Sequence, residues 1–572
     1  MSEQLSEKSN EEKKSFNEAL NQEKSGKKNR ALQVILGIIF ILPAIAALIF
    51  TQVIPTVRTI KYSFRDVTFL KDAGPVGMEN YQRMFDHSAF GQATTLTLLM
   101  TLIRILIVLF PPLFLALGTS ALKTELRKAV RVFVTIPWAV YSPISLGITW
   151  LLISNPIFGF GSKVFNLANP NFSRWITLLM DGLSFLGLAC GLGLTVYLAT
   201  MKGANFEDNH KSLARNLLIT ALILLIGTTA VSLQGGDTIT FLTNGGPEYT
   251  TTTFHALILN QAFSVMRYGI ASAIATPIFI VVAFLGILTS IITITTNLRL
   301  LHLPKETEPA SIAKWLKIIS IILMLITLLF VLVSVTPYGL RIVTLFRIPG
   351  DGFFAGIGDI ISESNFWRFL LNTWYMPLLI VMVVQIPVTY IAALGIGALR
   401  PLGKASEWLL LLFAPWLFVR VLLVLPGISR TLFDFKIFNT LTGFALPYLV
   451  NIPVLFILTL FFRGQAHQAT EKEKQPKFFK TFILPSIPLT LFCIVLSVMF
   501  IQQDLLWPMA TNTMMLSTYF RRIRMTLGAN IGSVGNLLWL LRILSFILSF
   551  IILAVFQIFY FPRLGIKIGK NK

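Results

Sequence analysis

The chain has 572 residues, of which 55% are hydrophobic and 13% charged, about half the roughly 25% charge of an ordinary soluble domain. Mean hydropathy is +0.73, and long, nearly charge-free stretches recur from residue 33 almost to the end. A soluble enzyme is excluded by these values, and a membrane barrel by apolar runs that are continuous rather than alternating. The net charge of +22 does not call for nucleic acid, because basic residues collect in short loops and anchor membrane helices on the cytoplasmic side.

Residues 1–30 hold seven Lys or Arg against six Glu with little to bury, which predicts a disordered cytoplasmic tail. Lys27, Lys28 and Arg30 just before the first apolar run should keep it inside. Apolar runs then predict spans near 32–55, 91–118, 132–154, 177–200, 216–234 and 265–296. A second set follows near 315–340, 368–398, 406–428, 441–463, 479–501 and 539–560. The expected fold is an all-α polytopic membrane protein with about 12 transmembrane helices in two six-helix halves. The halves are residues 31–298 and 315–572, joined by a cytoplasmic linker at 299–314. The fourth predicted span is interrupted by glycines, and the fifth is short.

An even number of spans puts both termini on one side. Predicted inner loops hold Lys123, Arg127, Lys128 and Arg131; Lys202 and Arg215; Arg299 and Lys305; Arg400 and Lys404; and Arg463, Lys472 and Lys480, in agreement with a cytoplasmic orientation. Arg521, Arg522 and Arg524 run against that pattern. Cys190 and Cys493 lie in apolar runs and the five histidines are scattered, so neither a disulfide framework nor a metal site is expected.

The most distinctive stretch runs from Asp237 through Phe241 to Gly245-Gly246-Pro247 and Thr250, then to Tyr268-Gly269 and Ala271-Ser272-Ala273. Gly-Gly-Pro ends any regular element, the threonines at 250–253 can cap the next helix, and the small residues permit close helix approach. This stretch resembles the signature of the first permease subunit of binding-protein-dependent ABC sugar importers, of the maltose and glycerol-phosphate type. Gly77-Met78-Glu79-Asn80-Tyr81 and Ile136-Pro137-Trp138 resemble that subunit as well. The second half resembles the partner subunit at Asn372-Thr373, at Ile437-Phe438-Asn439-Thr440, at Leu484-Pro485 and at Gln502-Gln503-Asp504-Leu505-Leu506-Trp507-Pro508.

The resemblance implies a type I importer with the two permease subunits fused in one chain. Its expected partners are two ABC ATPase subunits, an extracellular solute-binding protein and membrane lipid, with no nucleic acid. The chain itself would carry no cofactor; ATP and Mg would act through the ATPases, since no Walker-type loop is present. The expected location is a bacterial or archaeal cell membrane. The family's cytoplasmic coupling helix has its nearest counterpart at Tyr197 to Ala204, with Lys202, Gly203 and Ala204 in its second part. In the second half, counting back from Pro485 places it around His467, with Lys472 where the family has glycine.

Polar residues inside apolar runs are costly and mark a path or a partner. Arg420 is the strongest, joined by Gln385, Gln502, Gln503, Asp504, Gln234, Asp237 and Asn372, with Trp507 also on the expected path; Trp416, Trp507 and Trp138 could stack on a sugar ring. Asp504 could also cap the Trp507–Pro508 break, and a salt bridge would equally explain Arg420. An ion-driven transporter should show an intramembrane carboxylate pair; Asp237 and Asp504 are the only candidates and both lie near outer boundaries, which ranks that reading low. The reading is an ATP-driven permease for a sugar or related solute working by alternating access. The alternative is a membrane scaffold or regulator whose coupling loops have degenerated.

Overall fold

The computed structural model describes residues 30–68, 71–141, 146–147, 149–150, 167–204, 210–304, 314–345, 357–362, 365–471, 478–504, 506–515, 518 and 531–569. In the first half the main helices are α1 (Arg30–Ser63), α2 (Ser88–Ser120), α3 (Thr124–Val140), α4 (Pro170–Gly203), α5 (Leu213–Thr243) and α6 (Tyr268–Thr295). In the second they are α7 (Lys314–Leu345), α8 (Phe366–Leu399), α9 (Val421–Asp434), α10 (Ile452–Glu471), α11 (Phe479–Gln502) and α12 (Ile531–Val555). Among the described residues nine helices are long and apolar enough to cross a membrane. A tenth is counted if α10 is joined to the short helical stretch Leu441–Tyr448, from which it bends by 48°.

The expected spans at 132–154 and 406–428 are the two without such a helix. Part of the first lies outside the described residues; α3, which covers its start, ends at Val140, and Tyr141 is extended. The second is broken. Tight 3-10 turns cover Gly403–Leu412 and Ala414–Trp416, and α9 begins only at Val421. Pro415 cannot donate a helical hydrogen bond, and the chain opens between Leu417 and Arg420. The fourth span, by contrast, is one continuous helix of 34 residues. Its glycines are packing faces: Gly187 and Gly191 lie against Pro137 and Trp138. The fifth is longer than expected, resuming at Asp237 after a break at Gly235–Gly236. The tail before residue 30, Lys472 and the Arg521–Arg524 stretch lie outside the described residues.

The first helix of each half packs against the other half. α1 lies along the second half: Trp416 Nε1 donates to Thr56 Oγ1 at 3.0 Å, and Arg58 pairs with Asp434 at 3.1 Å. α7 in turn lies on the first half, where Met324 and Val331 share a core with Leu115, Val134, Leu186 and Tyr197. Tyr338 Oη donates to Val140 O at 2.7 Å. The largest core cluster likewise mixes both halves, including Ile41, Ala275, Leu394, Leu425, Phe461 and Tyr560. No water competes for these contacts in a bilayer, so fit and hydrogen bonds decide the association.

At one end of the bundle the segments that follow α6 and α12 pair with each other. Two hairpin strands at the opposite end are β1 (Arg65–Val67) and β2 (Asp72–Pro75); β3 (Arg299–His302) and β4 (Leu564–Lys567) form the antiparallel ladder Arg299↔Lys567 to His302↔Leu564. β4 covers a glycine of the first half, and β3, which follows the first half, covers a glycine of the second. A Cβ on Gly203 would stand 1.9 Å from Ile566 O, and one on Gly464 would stand 2.0 Å from Leu300 O. Beside this sheet, buried Glu407 accepts from Arg400 at 2.9 Å and pairs with Arg463 at 3.2 Å, while Arg463 also donates to Asn297 Oδ1 at 2.5 Å. Burial, with Arg563 and Lys202 nearby, holds the His302 imidazole below its ordinary pKa, which favours the neutral ring in the ladder. At the other end Asn80 Nδ2 donates to Ser63 O and Arg65 O, and Tyr81 Oη bonds Ser63 Oγ at 2.8 Å.

Candidate translocation site

A cavity of about 470 Å³ opens where the halves meet, within the size range of small-molecule sites. It is built on interruptions. Helix α5 breaks at Gly235–Gly236, with Gly236 at φ +126°, a conformation that suits glycine, and restarts with Asp237. The broken segment of the second half ends at Arg420. The two breaks face each other. Arg420 donates to Asp237 Oδ2 at 2.7 Å, and His255 Nε2 lies 3.4 Å from Asp237 Oδ1. Gln234 bridges the same gap: its Oε1 accepts from Arg420 N at 2.7 Å and its Nε2 donates to Phe418 O at 2.9 Å. Backbone groups freed by a broken helix must find partners inside the protein at membrane depth, and this glutamine supplies two of them.

Of the residues singled out in the sequence, Arg420, Asp237, Gln385, Gln503 and Asp504 line this cavity, as does Trp416. Asp504 both caps and bonds: its Oδ1 accepts from Leu506 N at 2.9 Å, and its Oδ2 accepts from Tyr448 Oη at 2.7 Å. Gln502 and Trp507 are not on the cavity wall. Trp507 is fully buried, with its indole N–H donated to Phe444 O at 2.8 Å, and Trp138 is 2% exposed in the core. Neither ring is open to a solute. Trp507→Phe is expected to cost about 1–3 kcal/mol by orphaning Phe444 O while leaving solute handling unchanged. Thermal unfolding and transport measured together check this, and a transport loss at unchanged stability would contradict it.

The structure also brings in Arg104, Tyr141, Gln52, Tyr448 and Asn451, none of which the sequence singled out. Arg104 on α2 is held by Asp181 on α4 through bonds of 2.9 and 2.7 Å, and its guanidinium lies 4.9 Å from the Phe185 ring centroid. Asp181 is thus a further carboxylate within the spans, beyond Asp237 and Asp504 as the only candidates for a pair, and it is matched by an arginine. A signal was present: one arginine and one aspartate interrupt the predicted runs 91–118 and 177–200, and opposite charges in neighbouring spans pair.

The glycine-proline turn is closed by its threonines. Gly245 has φ +89°; Thr252 Oγ1 donates to Gly245 O at 3.1 Å and Thr251 Oγ1 to Gly246 O at 2.6 Å. Pro247 O accepts from Thr250 Oγ1 at 2.7 Å, and Thr253 caps the following helix by accepting from Ala256 N at 3.2 Å.

The candidate coupling residues lie at the end with the β3–β4 sheet. Tyr197 is fully buried, its hydroxyl directed at Leu109 O, so it faces no partner surface. Lys202 donates to Pro562 O, and Gly203 and Ala204 close α4 beneath β4. His467 is half-buried on the last turns of α10. In the second half the glycine that approaches a strand backbone as Gly203 does is Gly464, eight positions before Lys472.

No protein-family profile matches the chain. The chain is 29% identical over 267 residues to the trehalose/maltose transport system permease protein MalF of Thermococcus litoralis, covering 43% of this chain and 90% of that protein. It is 28% identical over 267 residues to the sulfoquinovosyl glycerol transport system permease protein SmoG of Agrobacterium fabrum, covering 43% and 86%. Against the multiple sugar-binding transport system permease protein MsmF of Streptococcus mutans it is 26% identical over 271 residues, covering 43% and 91%. Each relative thus fits almost whole into less than half of this chain. Over that part of its length, the chain is a homologue of the permease subunits of sugar ABC transporters.

Proposed function

We propose that the chain is a fused pair of permease halves in an ATP-driven importer, forming the path for a sugar or related small polar solute. The observation that supports this most is the cavity at the meeting of the halves, crossed by the 2.7 Å pair of Asp237 from the first half and Arg420 from the second. In this reading the pair acts as a gate between the halves, made in one arrangement and released in the other. The basic residues Lys123, Lys128, Lys202, Arg400 and Arg563 support a cytoplasmic position for the β3–β4 end. Two ATPase subunits, with ATP and Mg, would dock there on the segments that follow α4 and α10, near Lys202 and His467. A solute-binding protein would deliver at the opposite end. The membrane would be that of a bacterial or archaeal cell, with both termini inside.

Affinity purification in mild detergent tests the assignment. An ATPase at two copies per chain is expected, and it should be lost when residues 467–478 are replaced by a flexible linker that spares Arg463 and Gly464. Absence of any ATPase from the intact protein would refute the importer reading.

A further inference from the structure

Arg420 is held by a carboxylate of the other half, while a second carboxylate, from its own half, stands on the same cavity wall without an ion-pair partner. Asp237, in the first half, accepts from Arg420 Nη1 at 2.7 Å. Asp504, in the second half with Arg420, lines the cavity and is the only acidic residue of that half among the described lining residues. Its carboxylate accepts from neutral donors: Leu506 N at 2.9 Å and Trp507 N at 3.4 Å on Oδ1, and Tyr448 Oη at 2.7 Å on Oδ2. A carboxylate offers about four acceptor sites, so one is left on Oδ2. Among the described residues Asp504 forms no ion pair, whereas Asp237 is paired with Arg420 and faces His255. Arg420 nevertheless comes close enough to interact electrostatically with both Asp504 and Tyr448.

Arg420 has donors to spare. Nη1 makes both of its side-chain bonds, to Asp237 Oδ2 and, at 3.5 Å, to Gln234 O. Among the described residues Nε and Nη2 have no acceptor, and the side chain is 35% exposed on the cavity wall. Moving the halves apart, as the gate reading requires, withdraws Asp237. That aspartate keeps Arg104 and His255, both of its own half and both near enough to act on its charge. Arg420 is left without its carboxylate, and an unmatched guanidinium at membrane depth is costly. We infer that Asp504 is the alternative partner of Arg420, receiving the guanidinium when Asp237 is withdrawn. The inference rests on the gate reading and adds the residue that keeps the arginine matched in the second arrangement. Asp504 is thus a positioning residue that acts through Arg420. Capping the Trp507–Pro508 break does not explain its charge, because an asparagine would accept from the same N–H groups equally well.

Thermal unfolding of the full chain in nanodiscs tests this with Asp237→Asn, Asp504→Asn and the double variant. Asparagine preserves the cap, so Asp504→Asn alone should shift the melting temperature little. Asp237→Asn alone should shift it modestly, because Arg420 turns to Asp504. The double variant removes both carboxylates and should lose more than the two single shifts added together; failure of the double variant to fold, with both singles folded, is the same result. In an Arg420→Met background that excess should fall to less than about half, since only the repulsion between the two carboxylates remains. Asp504→Glu, which keeps the charge, should leave Asp237→Asn as stable as it is alone. Additive shifts would overturn the inference, as would an excess that persists undiminished without Arg420. So would glutamate and asparagine in place of Asp504 behaving alike, or Asp237→Asn alone failing to fold. None of these measurements needs a solute or an ATPase, so co-purification still decides the permease reading separately.

Discussion

Arg104→Ala is expected to destabilise the protein by about 3–5 kcal/mol, whereas the double replacement Arg104→Met with Asp181→Leu is expected to recover most of that loss. The pair is nearly sealed, with side-chain exposures of 9% and 3%, and both oxygens of Asp181 are taken by the one guanidinium. Removing the arginine leaves a carboxylate at membrane depth with its charge unmatched, the costliest outcome available there. Removing both charges leaves only a change in packing. Thermal unfolding in detergent, followed by tryptophan fluorescence, measures all three proteins. If the single variant melted with the wild type, the pair would be structurally idle.

The second large effect is expected at the two glycines beneath the β3–β4 sheet. Gly203→Ala and Gly464→Ala should each cost about 3 kcal/mol, the upper part of the usual range for overpacking. The new methyl would meet a backbone carbonyl oxygen, at 1.9 Å from Ile566 and 2.0 Å from Leu300. A backbone oxygen in a ladder cannot rotate aside as a side chain can, so strand and helix must part. Gly339→Ala is the control: nothing lies within 4 Å of the added atom, and alanine favours a helix interior by about 1 kcal/mol over glycine. Thermal unfolding and limited proteolysis at the C-terminal strand report the effect. Wild-type stability together with a protected strand in both variants would refute the close packing.

The two glycines also show why the second-half coupling segment was hard to place. Counting back from Leu484-Pro485 carries a family spacing through residues 472–477, which lie outside the described residues. The close approach of Gly464 to Leu300 depends instead on a strand more than 160 positions earlier in the chain. No spacing within the loop encodes that contact. The same holds for Trp507. An aromatic residue near a predicted span boundary reads equally as stacking platform or core, and only the Phe444 carbonyl 2.8 Å from its indole nitrogen shows which it is. Arg420 was legible as a group needing a partner, and Asp237 as a carboxylate in the distinctive turn region; their meeting was not.

Composition and local motif were enough to read a multi-helix membrane protein, to place most of its spans, and to find the chain's turn at Gly245-Gly246-Pro247. Those properties follow from composition over windows of about 20 residues and from the φ and hydrogen-bonding limits of single residue types. The sequence also carried enough motif to point to the sugar-permease relatives. The tertiary structure alone decided that each half's first helix packs on the other half, that strands β3 and β4 join the two C-terminal ends, and that Gln52, Arg104, Gln385, Arg420 and Asp504 share one cavity. Helices that are apolar all round do not encode their neighbours in their periodicity. Which faces meet is settled by the fit of small residues, by prolines that open the backbone, and by the few polar side chains that must find each other in the absence of water.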